Sequence, residues 1–271
     1  AMEEPGYNEV ALRLSEAGFA MTSIPVLPYP TWDDAASYLK GVDIAFATPV
    51  SQFPSNATMP IEIRRKLVAW ADETQAYIID DEYCWEFETS NPRLPALAAL
   101  DTEDRVITLG TFSNSFTPSI CLSYAVLPAA LMLKWKQRKR SLHPSVPWQT
   151  QAAMAEFMRS GQWLAHIRRT RTAVQQKRER LMRAIRNNLG KDFEIIESTS
   201  SLFALARARD GRSEQELIDA ALASSVRVYP TSPYWHAEPP ADWRYVLIGF
   251  AGIPSFKIES GIKELAKAWK R

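Results

Sequence analysis

Residues 105–124 read RVITLGTFSNSFTPSICLSY, and this stretch indicates the kind of fold that the chain adopts. Residues 106–109 have the apolar pattern of a buried strand, which ends at Gly110 in a run of small hydroxyl residues. Such a strand end can hold a phosphate or a cofactor, because ligands of α/β proteins lie at the carboxyl ends of parallel strands. After Arg105, however, the stretch contains no lysine or arginine that would pair with a phosphate.

Strands and helices alternate around this stretch. DIAFATP (43–49) and AYIIDDEY (76–83) are typical of buried strands, and residues 59–74 between them predict an amphipathic helix. This alternation predicts an α/β layer with a mainly parallel sheet.

The second half of the chain has a different order of predicted elements, with a long helical region first. A helical region runs from 129 to about 190. Further strands are predicted at 193–198, 201–207, 226–230 and 245–251, with a capped helix at 213–224 and an amphipathic helix at the end. We therefore expect a partial large domain over residues 1–165, and a linking helix with a small α+β domain over residues 166–271.

Composition narrows the classes of function. The chain has 271 residues and a net charge of +1, so nothing electrostatic attracts it to nucleic acid or to an acidic membrane. No apolar run reaches the roughly 18 residues of a membrane span, and no signal peptide is visible. Cys84 and Cys121 lack metal-ligand spacing, which predicts packed free thiols in a reducing cytoplasm. The basic segments 134–140 and 168–186 are interpreted as solvated helix faces.

Five ordered motifs resemble those of one protein family. They are EEPGY (3–7), TPVSQFPSNATMP (48–60), YIIDDEYCWEF (77–87), GTFSNSFTPSICLSYAVLP (110–128) and LIGFAGI (247–253). They are similar to segments of the fold-type I aminotransferases, which use pyridoxal 5'-phosphate (PLP), and more narrowly of the aminotransferase-like domain of MocR-type regulators in the GntR superfamily. The resemblance implies a mainly parallel large-domain sheet flanked by helices, a small α+β C-terminal domain, and a homodimer, since fold-type I sites lie between two subunits.

The resemblance assigns cofactor positions to several residues. Asp81 stands where the family's aspartate pairs with the pyridine nitrogen of PLP, and Tyr83 where a tyrosine bonds the ring's phenolic oxygen. Thr111 and Ser113 match hydroxyl groups near the phosphate. The alternative interpretation of Asp81 is a strand-end acid that caps nearby backbone.

Three family positions hold residues that lack the family's chemistry. Asn114 stands at the Schiff-base lysine, and a carboxamide nitrogen has no basic lone pair with which to attack a carbonyl or move a proton. Cys121 stands at the phosphate-binding arginine, and Gly252 at the arginine that holds an amino acid's carboxylate. Cys121 as a nucleophile is an alternative, although no histidine is near it in sequence.

The resemblance also predicts what lies outside this sequence. The family's winged-helix DNA-binding domain has no counterpart here, so we expect no DNA binding by this fragment. The front of the large domain, whose helix N-terminus holds the phosphate, is likewise expected to be missing.

Three functions stay open at this point. The losses favour a degenerate, non-catalytic aminotransferase-like domain that serves dimerisation or senses a small-molecule effector. The alternative is a PLP-dependent aminotransferase with an atypical site, in which Asp81 and Tyr83 hold the cofactor and another group moves the proton.

The third hypothesis is a different ligand in the same cleft. Asp80, Asp81 and Glu82 form an acidic strand end, and the regions of Trp85 and Trp235 could supply apolar walls. A metal site is not expected there, because successive strand residues point to opposite faces.

Overall fold

The computed structural model describes residues 1–26, 30–89, 92–138, 145–197 and 202–270. The strands of these residues are β1 (Met2–Glu4), β2 (Ser23–Pro25), β3 (Ile44–Ala47), β4 (Tyr77–Asp81), β5 (Val106–Thr111), β6 (Ser123–Val126), β7 (Phe193–Ile196), β8 (Phe203–Ala208), β9 (Tyr229–Pro230) and β10 (Val246–Gly249). Their helices are α1 (Asn8–Glu16), α2 (Trp32–Tyr38), α3 (Ile61–Thr74), α4 (Leu97–Leu100), α5 (Ala129–Arg138), α6 (Trp148–Arg159), α7 (Gln162–Asn188), α8 (Glu214–Ala223) and α9 (Ser255–Trp269).

The first sheet has the strand order β2-β1-β3-β4-β5-β6. Its pairs are parallel from β2 to β5, and only β6 is antiparallel to its neighbour β5. Helix α3 buries Leu67, Trp70 and Ala71 in the same core cluster as Ile78 of β4. The predicted parallel α/β layer is therefore confirmed.

The second sheet is antiparallel, with the order β7-β8-β10-β9. Its core cluster contains Leu181 and Ile185 of α7, Leu217 of α8 and Leu265 of α9. Helix α8 begins at the predicted capping box, in which Ser213 and Glu216 satisfy each other's backbone N–H groups.

Helix α7 contributes to the cores beside both sheets. Trp163 and Ile167 near its start share a cluster with Phe112, which follows β5, whereas Leu181 and Ile185 belong to the core of the second sheet. The proposed domain boundary after residue 165 falls within this helix and stays a prediction.

The end of β1 joins the first sheet to the region of the second sheet. The buried carboxylate of Glu4 accepts the backbone N–H groups of His236, at 2.6 Å, and Ala237, at 3.1 Å. The N–H of Gly6 donates to the carbonyl of Tyr234 at 2.8 Å. The EEPGY turn is therefore held by residues that lie more than two hundred positions later in the chain.

Three local predictions need correction. Strand β9 covers Tyr229–Pro230 only, not 226–230, and the strand predicted over 193–198 ends at Ile196, with 198 outside the described residues. Cys84 is buried as predicted, but Cys121 is exposed and the prediction of a packed thiol there is wrong. The reason is that Cys121 follows the short 3-10 turn of Pro118–Ile120 in the left-handed region, with φ of 45°.

Gly110 is required by the pairing of β5 with β6. It lies opposite Tyr124, and a Cβ atom at Gly110 would overlap the Tyr124 ring. We expect Gly110→Ala to lower the free energy of unfolding by about 1–3 kcal/mol in urea denaturation, because the ring must leave its contact with Phe112.

The matched control is Gly249→Ala in β10, where an added Cβ meets no atom within 4 Å. In a Tyr124→Ala background, Gly110→Ala should lower the free energy of unfolding much less, and a double-mutant cycle measures this difference. Equal costs in the two backgrounds would contradict the steric explanation.

Candidate functional site

The candidate site lies where β4 and β5 end side by side. The two strands are parallel, with Asp81 opposite Leu109, so the loops after Asp81 and Thr111 leave the same edge of the sheet. The loop after β3 lies at this edge as well, since the Tyr83 hydroxyl donates to the Ser51 carbonyl at 3.0 Å. This is the edge at which the sequence predicted a site.

Asp81 is half-buried, and burial raises the pKa of its carboxyl group to about 6. A hydrogen bond from the backbone N–H of Tyr83 opposes this and lowers the pKa. That bond is the backbone cap that formed the alternative interpretation of Asp81. A desolvated carboxyl group at this place also suits a cationic ring nitrogen, so both interpretations remain compatible with the geometry.

Asn114 is exposed and bonds to backbone. Its Nδ2 donates to the carbonyl of Tyr83 at 3.0 Å. Beside it, the backbone N–H of Ser113 donates to the Thr111 hydroxyl at 3.1 Å. The structure thus brings Tyr83 and Asn114 together, as the resemblance implies, but through an amide that joins two loops.

Residues outside the assigned cofactor positions support the loop that carries Asn114. The hydroxyl of Ser115 donates to Glu86 at 2.9 Å, and His166 Nε2 lies 2.7 Å from the carbonyl oxygen of Ser115. Arg171 in turn donates to the Glu86 carbonyl at 2.6 Å. His166 and Arg171 lie on α7, far from the loop in sequence, and only tertiary structure reveals their role.

The Tyr83 hydroxyl is hydrogen-bonded to the loop after β3. Burial raises the pKa of Tyr83 well above its ordinary value, so the phenol stays neutral and donates its proton to the Ser51 carbonyl. Ser51 is fully buried, and its own hydroxyl has no hydrogen-bond partner among the described residues. The group that the resemblance assigns to a ring oxygen therefore already has a backbone partner.

Arg64 organises the buried side of this edge. Its guanidinium donates to the carbonyls of Met59 at 3.1 Å, Pro95 at 2.8 Å and Pro49 at 2.7 Å. Arg64 was missed from the sequence; its place on the apolar stripe with Leu67 and Ala71 is the signal that could have found it.

The charge of Arg64 acts on two buried carboxyl groups. Burial raises the pKa of Asp80 well above its ordinary value and that of Glu82 to about 7, whereas Arg64 lowers both. These two acids belong to the side of β4 that packs against α3, while Asp81 points to the opposite face.

The remaining two family positions lie apart from this network. Cys121 is exposed, with its Sγ 3.5 Å from the Pro118 carbonyl. Gly252 lies in an exposed loop that Lys177 holds by donating to the Ala251 carbonyl at 2.6 Å. Among the described residues, no hydrogen bond or ion pair joins Cys121 or Gly252 to Asp81, Tyr83 or Asn114.

The two tryptophans of the third hypothesis lie in different surroundings. Trp235 packs against Trp243 with ring centroids 5.3 Å apart, and Trp85 begins the short 3-10 turn after β4. Trp85 lines a cavity with Glu82, and Trp235 is not among the residues of its wall.

These residues do not fit a covalently held PLP. Asn114 offers an amide that is bonded to backbone, and the Tyr83 hydroxyl already donates to the Ser51 carbonyl. Cys121 offers a thiol where the family has a cationic guanidinium. Asp81 keeps a carboxyl group for a ring nitrogen, and Thr111 and Ser113 keep their hydroxyl groups.

The described residues offer neither a metal site nor a membrane span. They contain no group of three or more His, Cys, Asp or Glu side chains that could hold a metal ion. None of their helices is long and apolar enough to cross a membrane.

Comparison with known proteins identifies the class to which this fold and site belong. The family model of aminotransferase class I and II matches residues 44–247. The chain therefore belongs to the aminotransferase class I and II family.

Within that family the chain is similar to MocR-type regulators over its whole length. It is 36% identical to the uncharacterized HTH-type transcriptional regulator YhdI of Bacillus subtilis, over 98% of this chain and 56% of that protein. It is 28% identical to the "Probable rhizopine catabolism regulatory protein MocR" of Rhizobium meliloti, over 99% of this chain and 54% of that protein. The chain thus spans about half the length of these curated relatives.

Solved structures confirm the fold-type I architecture. The α-aminoadipate aminotransferase LysN of Thermus thermophilus, complexed with N-(5'-phosphopyridoxyl)-L-leucine, matches 99% of this chain and 70% of its own with a TM-score of 0.85 at 22% identity. An archaeal alanine:glyoxylate aminotransferase matches 99% of this chain and 68% of its own with a TM-score of 0.88 at 22% identity.

The raised pKa of Asp81 predicts a specific dependence of stability on pH. The folded chain holds this proton more tightly than the unfolded chain, so the contribution of Asp81 is fully present below about pH 4 and is lost as the pH rises through about 6. Asp81→Asn keeps an oxygen for the Tyr83 N–H and cannot ionise. We expect this variant to be more stable than wild type by about 1–2 kcal/mol at about pH 8 and equally stable near about pH 4.

Urea denaturation across this pH range measures the difference. Glu73→Gln on the exposed side of α3 is the control and should show no such trend. A difference for Asp81→Asn that does not change with pH would refute the assignment.

Proposed function

We propose that this chain is the aminotransferase-like domain of a MocR-type regulator that has lost covalent catalysis and serves dimerisation or effector sensing. The arrangement of Asn114 carries the proposal. Its amide stands at the position of the reactive amine and bonds the Tyr83 carbonyl, so the group that would attack a carbonyl is replaced by one that joins two loops.

The state of the other positions supports the same proposal. A phosphate would meet the Cys121 side chain in place of a guanidinium, and an amino acid's carboxylate would meet Gly252. A charge-assisted hydrogen bond is worth roughly 1.5–3 kcal/mol, so the loss of two arginines removes most of the expected grip on both groups.

Exposed apolar residues support the dimerisation part of the proposal. All four residues of β6, the edge strand of the first sheet beside β5, are exposed, with Val126 at 59%. Trp148, at the start of α6, and Leu164, at the start of α7, are 71% and 60% exposed. Apolar exposure of this extent is typical of surfaces that another protein surface covers.

The alternative function is a PLP-dependent aminotransferase with an atypical site. Asp81 favours it, because its carboxyl group could still face a ring nitrogen. It needs another lysine, and Lys177 is the candidate because its amine already reaches the loop of Gly252.

Reduction with borohydride in the presence of PLP separates the two functions. We expect no lysine of the wild-type chain to be labelled stoichiometrically, because no amine replaces the one lost at Asn114. Peptide mapping by mass spectrometry measures the labelling of each lysine. Asn114→Lys is the matched variant and should gain a label at that position.

A stoichiometric label on a single lysine of the wild type, Lys177 above all, would establish the alternative. Failure of Asn114→Lys to gain a label would show that the loop no longer has the shape of a cofactor site.

The oligomeric state tests the dimerisation part independently. Light scattering should give twice the 30.6 kDa of one chain. Changing Trp148 and Leu164 together to glutamate should shift the mass towards the monomer, because charges are costly in an apolar interface. Phe256→Glu, at an equally exposed position on α9, is the control and should leave the mass unchanged. A monomeric wild type would refute this part of the proposal.

A further inference from the structure

A cavity of about 180 Å³ lies beside the end of β4, separate from the candidate cofactor position. Its wall includes the acids Glu82 and Glu88, the bases Arg64 and Arg93, and the side chains of Trp85 and Leu94. Asp81, Tyr83 and Asn114 are not part of it.

Glu82 is the unusual member of the wall. It is only 6% exposed, and its Oε1 is closed to solvent without a hydrogen-bond partner among the described residues. A buried carboxylate oxygen without a donor destabilises the folded chain. Glu82 Oε1 can therefore accept a hydrogen bond from a ligand in the cavity.

The surrounding charges leave the region short of cations. Three carboxyl groups, those of Asp81, Glu86 and Glu88, repel the carboxylate of Glu82. Three guanidinium groups face them, those of Arg64, Arg93 and Arg171. Each guanidinium also donates to a backbone carbonyl, as Arg93 does to Glu88 at 2.7 Å and Arg171 to Glu86 at 2.6 Å.

We propose that this cavity binds a primary ammonium group, with the Glu82 carboxylate as acceptor and the Trp85 indole as its apolar wall. An ammonium group brings one positive charge and three donors in a compact shape, which matches a single orphaned carboxylate in a small cavity. Trp85 is 37% exposed, so its ring is available to an entering alkylammonium. A metal ion is the poorer match, because the described residues offer no set of three ligands.

The pH dependence of binding follows from the same groups. Burial, with repulsion from Asp81, Glu86 and Glu88, raises the pKa of Glu82 to about 7, and Arg64 opposes this shift. Arg93 also faces the cavity. Because an ammonium ion needs the ionised carboxylate, affinity should fall as the pH drops below about 7.

Calorimetric titration with n-butylammonium chloride tests the proposal. We expect saturable binding at about pH 8 and a loss of about tenfold in affinity near pH 6, since one pKa unit corresponds to a factor of ten. Butanol, which has the same shape without charge, and tetramethylammonium, which has the charge without N–H donors, should bind much more weakly. L-2-aminohexanoic acid carries the ammonium group of a free amino acid. Its affinity relative to that of butylammonium tells whether the cavity prefers an amino acid or a simple amine.

Glu82→Gln should abolish this binding, and Glu73→Gln on the exposed side of α3 is the control that should not. If Glu82→Gln fails to fold, the affinities of the wild type for butylammonium, butanol and tetramethylammonium still test whether the cavity recognises a primary ammonium group. Equal binding of butanol and butylammonium, or no saturation by any amine on folded wild type, would overturn the proposal.

Discussion

The buried guanidinium of Arg64 is the constraint on which the candidate site depends. It holds the carbonyls of Pro49, Met59 and Pro95, and so fixes the loop after β3 and the start of α4 against helix α3. That loop presents the Ser51 carbonyl, which positions Tyr83. An arginine is suited to this place because its planar fork of donors serves several acceptors at once, whereas a lysine offers a single point of charge.

The loop of Asn114 is held in place by three contacts. Its supports are the Ser115 contact with Glu86, the His166 contact with the Ser115 carbonyl, and the amide of Asn114 on Tyr83. The first two do not involve the side chain at position 114 at all. The shape of this loop therefore depends mainly on residues other than the one at position 114.

The sequence predicted the layers of the fold because they rest on local patterns. The apolar run of β4, the amphipathic stripe of α3 and the capping box at Ser213 each lie within a short segment. The roles of His166, Arg171 and Lys177 could not be predicted, because each depends on a contact across at least 51 residues of chain. The exposure of Cys121 was missed for another reason, since a left-handed backbone at a cysteine has no local sequence signal.

The contact of Glu4 with His236 and Ala237 has a consequence for synthesis of the chain. Glu4 and His236 are separated by 232 positions. In a growing polypeptide the Glu4 carboxylate can accept the Ser23 hydroxyl, at 2.8 Å in the folded chain, but it gains the backbone N–H groups of His236 and Ala237 only after that segment has been synthesised. Strand β1 is therefore synthesised early and completed late. A fragment that ends before residue 236 therefore cannot close the turn at Glu4 in the way that the folded chain does.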